Sequence, residues 1–265
     1  MLATLILKTW RDHWRAILGW SLGLAALAGV ELAVYPTIRN ASVGMSKLMD
    51  SFPPALKTMF RITDYTSGPG FLSTELFSIM VPLVFICVGA SWGSSATTTE
   101  EERGTGDLLL TLPISRTDVV MGKLIAIVTA LAGLGVLLWV VLVLGSRAVN
   151  LHVGTLDLAW ACAAVVLLGW VYAGIGLLIG ALSGRHAIAL GSSIALALAA
   201  FLLYSLGPLV HALQPWLKAT PFHWALGNDP LRNGVPLQYA GLLVLVSVGL
   251  FAAAALAFQR RDIGT

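Results

Sequence analysis

Uncharged apolar runs divide this chain into segments of similar length. No charged residue occurs from Leu76 to Thr99, Leu124 to Ser146, Leu158 to Gly184, Ala187 to Leu217 or Asn233 to Gln259. Each run can cross a hydrocarbon core of about 30 Å, which takes about 20 helical residues. A further apolar stretch, about Ala16 to Tyr35, comes first, and Pro36 is expected to close it. The pattern therefore predicts six spans, about 16–35, 71–96, 119–145, 158–182, 187–206 and 237–258. They make one transmembrane domain over residues 1–265, an all-α membrane protein with short connections.

The amino-terminal stretch has a different rhythm. Leu2, Leu5, Ile6 and Trp10 fall on one helical face and Lys8, Arg11, Asp12 and Arg15 on another, which predicts an interfacial helix over residues 1–15. Ala26, Leu27 and Ala28 imitate a signal-peptidase site, but apolar sequence continues to Tyr35, so span one is expected to be retained. Between spans one and two, Val43, Leu48, Met49, Leu56, Met59 and Phe60 fit short amphipathic helices broken at Pro53 and Pro54.

Composition sharpens this picture. Only 11% of the 265 residues are charged and 57% are hydrophobic, and the mean hydropathy is +0.86. A soluble domain carries about 25% charged residues, so a soluble enzyme is excluded. The net charge of +3 is spread over separate loops without a basic stripe, which gives nucleic-acid binding no support. Lys8, Arg11 and Arg15 before span one, with Arg260 and Arg261 after span six, predict that both termini are cytoplasmic. Nine of the sixteen Lys and Arg residues then lie inside and seven outside. Cys87 and Cys162 both fall in apolar runs and read as small core residues.

Several catalytic patterns fail on context. Gly89–Gly93 satisfies G-x-S-x-G, but that chemistry needs a strand-to-helix elbow, and here the motif lies in an apolar helix. No phosphate-cradling G-x-x-x-x-G-K-[ST] run occurs, so no nucleotide site is expected in this chain. The five histidines include no H-E-x-x-H pair, and no metal site is predicted. Gly176, Gly180 and Gly184 recur every four residues, as do Gly19 with Gly23 and Gly89 with Gly93. Such stripes let helix backbones approach closely in lipid, either within one subunit or between two.

Glu31 and Glu75 lie close to hydrocarbon, one near the outer end of span one and the other near the outer start of span two. Ionisable groups at such depth point to function, and with Trp92 they are the candidate lining of a substrate path. The plainer reading places each at the interface, paired with Arg39 or Arg61 or simply wetted. Trp139, Trp160, Trp170, Trp216 and Trp224 fit interface anchors.

The segment from Thr98 to Arg116 is too long and too patterned for a minimal connector. It opens with Glu100, Glu101, Glu102 and Arg103, steps through Gly104 and Thr105, and continues to Asp107. Leu108, Leu109 and Leu112 follow, before Pro113 and Arg116. Solvated charge explains the glutamates; the leucines beside them call for a partner surface.

Glu101, Gly104, Thr105, Leu109, Leu110, Pro113, Ile114, Ser115 and Arg116, followed by Gly122 and Lys123, resemble the E-x-x-G-T-x-x-x-L-L-x-x-P-[IV]-S-R…G-K signature of ABC-2-type transporter permeases. The resemblance extends over the whole chain and implies a type V exporter-like fold. It implies that Glu100–Leu112 is a coupling contact seated on a separate ATPase subunit, with Ser183–Ala187, including Arg185, as a smaller second contact. ATP and Mg would be bound by that partner, and this chain would bind no cofactor and have no catalytic site of its own. The resemblance further implies pairing with a second permease copy or a paralogue, in the plasma membrane of a prokaryote. Sparse charge suits export of an amphipathic or hydrophobic small molecule, such as a drug, peptide or lipid-like compound. Two alternatives compete. One is an ATP-driven subunit acting on a periplasmic protein or cofactor; the other is a polytopic membrane enzyme, which would need convergent polar groups in mid-span.

Overall fold

The computed structural model describes residues 2–59, 64–102 and 116–260, and these are helical apart from short connections. In chain order the helices are α1 (Leu2–Asn40), α2 (Ser42–Asp50), α3 (Pro54–Met59), α4 (Gly68–Glu75), α5 (Val81–Glu102), α6 (Arg116–Ala148), α7 (Thr155–Ser183), α8 (His186–Leu206), α9 (Gln214–Leu217), α10 (Pro221–Leu226), α11 (Pro230–Asn233) and α12 (Leu237–Arg260). Among the described residues six helical stretches are long and apolar enough to cross a membrane. They match the six expected spans, with α4 and α5 together making span two.

Two boundaries differ from the sequence reading. The amphipathic residues at the amino terminus are not a separate surface helix, because α1 runs unbroken from Leu2 to Asn40. Nothing from Asp12 to Ile17 is a helix breaker, so no local feature interrupts the hydrogen-bond ladder. Pro36 also lies inside α1 rather than closing it. It removes only the bond to the Leu32 carbonyl, and the helix continues for another turn, to where Ala41 N donates to Thr37 O at 3.0 Å.

Span two contains a wide π turn, Leu76–Met80, between α4 and α5. Pro82 follows it. In a regular helix the Pro82 ring would press on the Ser78 carbonyl and leave it without a donor. The wide turn, in which Val81 N reaches back to Leu76 O, gives that ring room while the chain stays helical.

α7 is the central post of the bundle. Its apolar stretch is 67% buried, against 17% for span one and 22% for each of spans five and six. A helix apolar all round is suited to that position. α7 lies along α5 with the backbones in direct contact: a methyl built on Gly89 would overlap the Gly169 carbonyl oxygen, and one on Gly93 would overlap that of Ala173. From the other side, a methyl on Gly176 would reach 2.9 Å from Ala90 O, and one on Gly180 would reach 2.6 Å from Thr97 Oγ1. The Gly89/Gly93 and Gly176/Gly180 stripes therefore face each other within one subunit. Gly184 does something else. With φ at 65° it ends α7 in the left-handed conformation, its N–H on Gly180 O at 2.9 Å, and turns the chain within two residues into α8. Gly19 and Gly23 have no neighbouring atom within 4 Å of an added methyl.

The residues between spans five and six fold back against the bundle. Phe222 on α10 is buried among Tyr172, Phe201 and Tyr204, with ring centroids at 6.3, 5.6 and 5.8 Å. Thr220 starts α10, its hydroxyl accepting from His223 N at 3.2 Å. With six antiparallel crossings, α1 begins and α12 ends at one pole. The 64–67 stretch and α9–α11 lie at the opposite, far pole.

Candidate functional site

At the far pole, polar side chains from two remote parts of the sequence converge. Ser67 caps α4, its hydroxyl accepting from Gly70 N at 3.2 Å, and donates to the carbonyl of Asp64, three residues before it, at 3.1 Å. Arg232 of α11 donates through Nη2 to Asp64 Oδ2 at 3.3 Å and to Ser67 Oγ at 3.1 Å. Its Nε lies 3.4 Å from Asp229 Oδ2. Asp229 in turn accepts from the Ser73 hydroxyl of α4 at 2.6 Å, and its backbone is left-handed, with φ at 52°. Asp tolerates that conformation better than most residues because its short side chain bonds locally. The Ser67 hydrogen bond and the charge of Arg232 together outweigh partial burial and hold the Asp64 carboxyl below its ordinary range. One guanidinium thus clasps the entry to span two onto the segment before span six.

Next to the clasp, Tyr65 donates to Glu75 Oε1. Its ring packs edge-on against Phe71 at 5.7 Å, and Phe71 lies 5.4 Å from Tyr35 of α1. Burial first, then the Glu75 hydrogen bond and the charges of Glu75 and Glu31, hold the Tyr65 phenol above its ordinary range. Of the candidate path residues, Glu75 is held by Tyr65, and Glu31 lies near enough for its charge to act on Tyr65. Trp92 is not with them: it sits on α5 toward the other pole, edge-on to His13 of α1 at 5.6 Å. The expected pairing of a carboxylate with Arg39 is not what forms, since Arg39 donates to Val149 O at 3.3 Å and Asn150 O at 3.4 Å. Arg61 lies outside the described residues.

At the pole where α1 begins, Glu100, Glu101 and Glu102 form the last turn of α5 and Arg116 opens α6. Arg103, Gly104, Thr105, Asp107, Leu108, Leu109, Leu112 and Pro113 lie outside the described residues. The second expected contact, Ser183–Ala187, is the tight α7–α8 connection at the same pole. Arg185 there is exposed, and its N–H reaches Ser183 Oγ at 3.3 Å. The described flanks of the first expected contact, Glu102 and Arg116, thus share one end of the bundle with the second. Of the expected core cysteines, Cys162 is buried and Cys87 partly so. Among the described residues no three His, Cys, Asp or Glu side chains group as metal ligands.

The clasp was not foreseen from the sequence. Its signals are local: Asp229 before Pro230 marks a turn, and Ser67 before Gly68 and Pro69 is a helix-start pattern. Neither says which distant arginine arrives.

A family model described as ABC-2 family transporter protein matches residues 3–263. Comparison with curated proteins finds no match.

Proposed function

This chain belongs to the ABC-2 transporter family, and on that premise we propose that it is the permease half of an exporter driven by a separate ATPase through its 98–116 segment. The family generally pairs its membrane subunit with an ABC ATPase. What supports the proposal is where the described flanks of that segment lie: Glu102 of α5 and Arg116 of α6 stand at the pole shared with the α7–α8 turn. Two copies, or this chain and a paralogue, would build a twelve-helix pathway on two ATPases, with both termini cytoplasmic and the clasp outside, in a prokaryotic plasma membrane. ATP binding can shift such an assembly only as far as it favours one arrangement over the other. The sparse charge of the apolar bundle suits an amphipathic or hydrophobic cargo.

Purification of the chain with its ATPase and measurement of ATP turnover in liposomes tests this reading. Glu101→Ala and Leu109→Ala should weaken assembly or turnover. Unchanged assembly and turnover in both variants would refute the coupling assignment. A second reading rests on the clasped far-pole loop: the subunit could act there on an outer protein. Stimulation of turnover by added amphiphile supports transport, and stimulation only by an outer protein supports the second reading.

A further inference from the structure

Near the pole where α1 begins, a group of contacts adjoins the end of the glycine seam. Lys123, two turns into α6 and half-buried, donates through Nζ to Ala96 O of α5 at 2.8 Å. The bond joins the two helices that flank the 98–116 segment. α5 ends in Glu100, Glu101 and Glu102, with no basic residue in its last turn. Negative charge is unfavourable there, because the carbonyl ends of the helix dipoles are already negative. An ammonium delivered by the neighbouring helix offsets it, and the lysine stem can lie along apolar surface on the way.

Other contacts brace the same level. Trp10 of α1 donates to Ala126 O at 3.2 Å, about one turn further along α6. His13 of α1 meets Trp92 of α5, and Gly180 of α7 lies against Thr97 of α5. Two further helices, α1 and α7, thus bear on α5 or its lysine-bearing neighbour close to Ala96.

We propose that Lys123 is the positioning residue that makes the inner ends of α5 and α6 move as one body when the ATPase displaces the segment between them. The proposal rests on the transporter reading above, since it needs a partner that pushes. A segment held at both ends by one rigid unit passes its displacement to both spans together. Without the lysine bond the two helix ends yield separately, and the motion is absorbed where it enters.

The test uses the assembled complex of this chain with its ATPase in nanodiscs, with spin labels at Met121 of α6 and Leu182 of α7, both exposed. Because the glycine seam fixes α7 to α5, the label separation reports whether α6 follows α5. In the unmodified chain a narrow separation, equal with ADP and with a non-hydrolysable ATP analogue, is expected. Lys123→Met should broaden it, make it nucleotide-dependent and lower permease-dependent ATP turnover about tenfold, the scale of one charged hydrogen bond. Lys123→Gln, shorter and neutral, should do the same, and Lys123→Arg should restore both readouts. A wild-type separation and turnover in Lys123→Met, or a Lys123→Arg as defective as Lys123→Met, would overturn the proposal. Failure of the unmodified chain to retain any ATPase would sink the transporter reading itself, and the lysine role with it.

Discussion

The α5–α7 seam and the far-pole clasp hold the same span by opposite means. Along the seam, span two meets span four through glycine backbones, with no side chain between them at Gly89 or Gly93. At the clasp, span two is held by one guanidinium, two carboxylates and two hydroxyls, with Arg232 and Asp64 partly exposed. Close packing in lipid has one good arrangement and resists gradual change, because dispersion contacts are lost as soon as a gap opens. A partly wetted ion pair contributes little to stability and can exchange its partners for water. The middle of span two is therefore built to stay and its far end is built to be released.

The largest effect is expected where the seam is forced open. Gly93→Leu places a branched side chain on the Ala173 carbonyl and should destabilise by roughly 3 kcal/mol or more, at the upper end of overpacking costs. The loss would be read as a collapse of the monodisperse fraction in detergent; wild-type yield and melting would show that the seam is not a fixed contact. Arg232→Ala is the matching break at the clasp. It leaves Asp64 and Asp229 without their shared cation and should lower stability by only about 1 kcal/mol, while amide exchange at residues 64–67 and 228–234 rises sharply. Equal exchange in mutant and wild type would mean that the clasp holds nothing.

Acid gives a finer cut of the same comparison. The Asp64 carboxyl titrates below its unfolded range, so its contribution is complete above the ordinary carboxylate pKa and disappears as pH falls through the lower folded value. Protection at residues 64–67, with the intrinsic pH dependence of exchange divided out, should fall on acidification through that window, while protection of the seam amides around Gly93 stays unchanged. Asp64→Asn should remove that pH step, and a step that persists in the variant would assign it to another group. The smallest effect belongs to Gly23→Leu. With no atom within 4 Å of an added methyl, it should change the melting free energy of the isolated chain by no more than about 0.5 kcal/mol.

The spans were legible because lipid imposes a long uniform requirement: charge-free runs such as Leu158–Gly184 have no soluble explanation of that length. Glycine spacing announced close packing, but the three regular glycines of α7 look alike in sequence and do different jobs. Gly176 and Gly180 touch α5, and Gly184 reverses the chain. Pro36 misled because a proline near a helix end removes one bond and leaves the next turn free to form. Glu31 and Glu75 were recognisable as deep carboxylates one at a time. The hydrogen bond of Glu75 with Tyr65 was not, since Tyr65 carries no pattern of its own. Arg232 was invisible for the same reason, paired with Asp64 across 168 positions.

Hydropathy and signature by themselves determined the membrane class, the number of crossings and the family, because each is written in local composition or contiguous motif and survives any particular packing. Which helix became the central post, which glycines face which backbone, and which arginine and lysine bridge distant segments were decided only by tertiary structure. Those choices depend on the simultaneous fit of surfaces far apart in the chain, and no local stretch of residues carries that information.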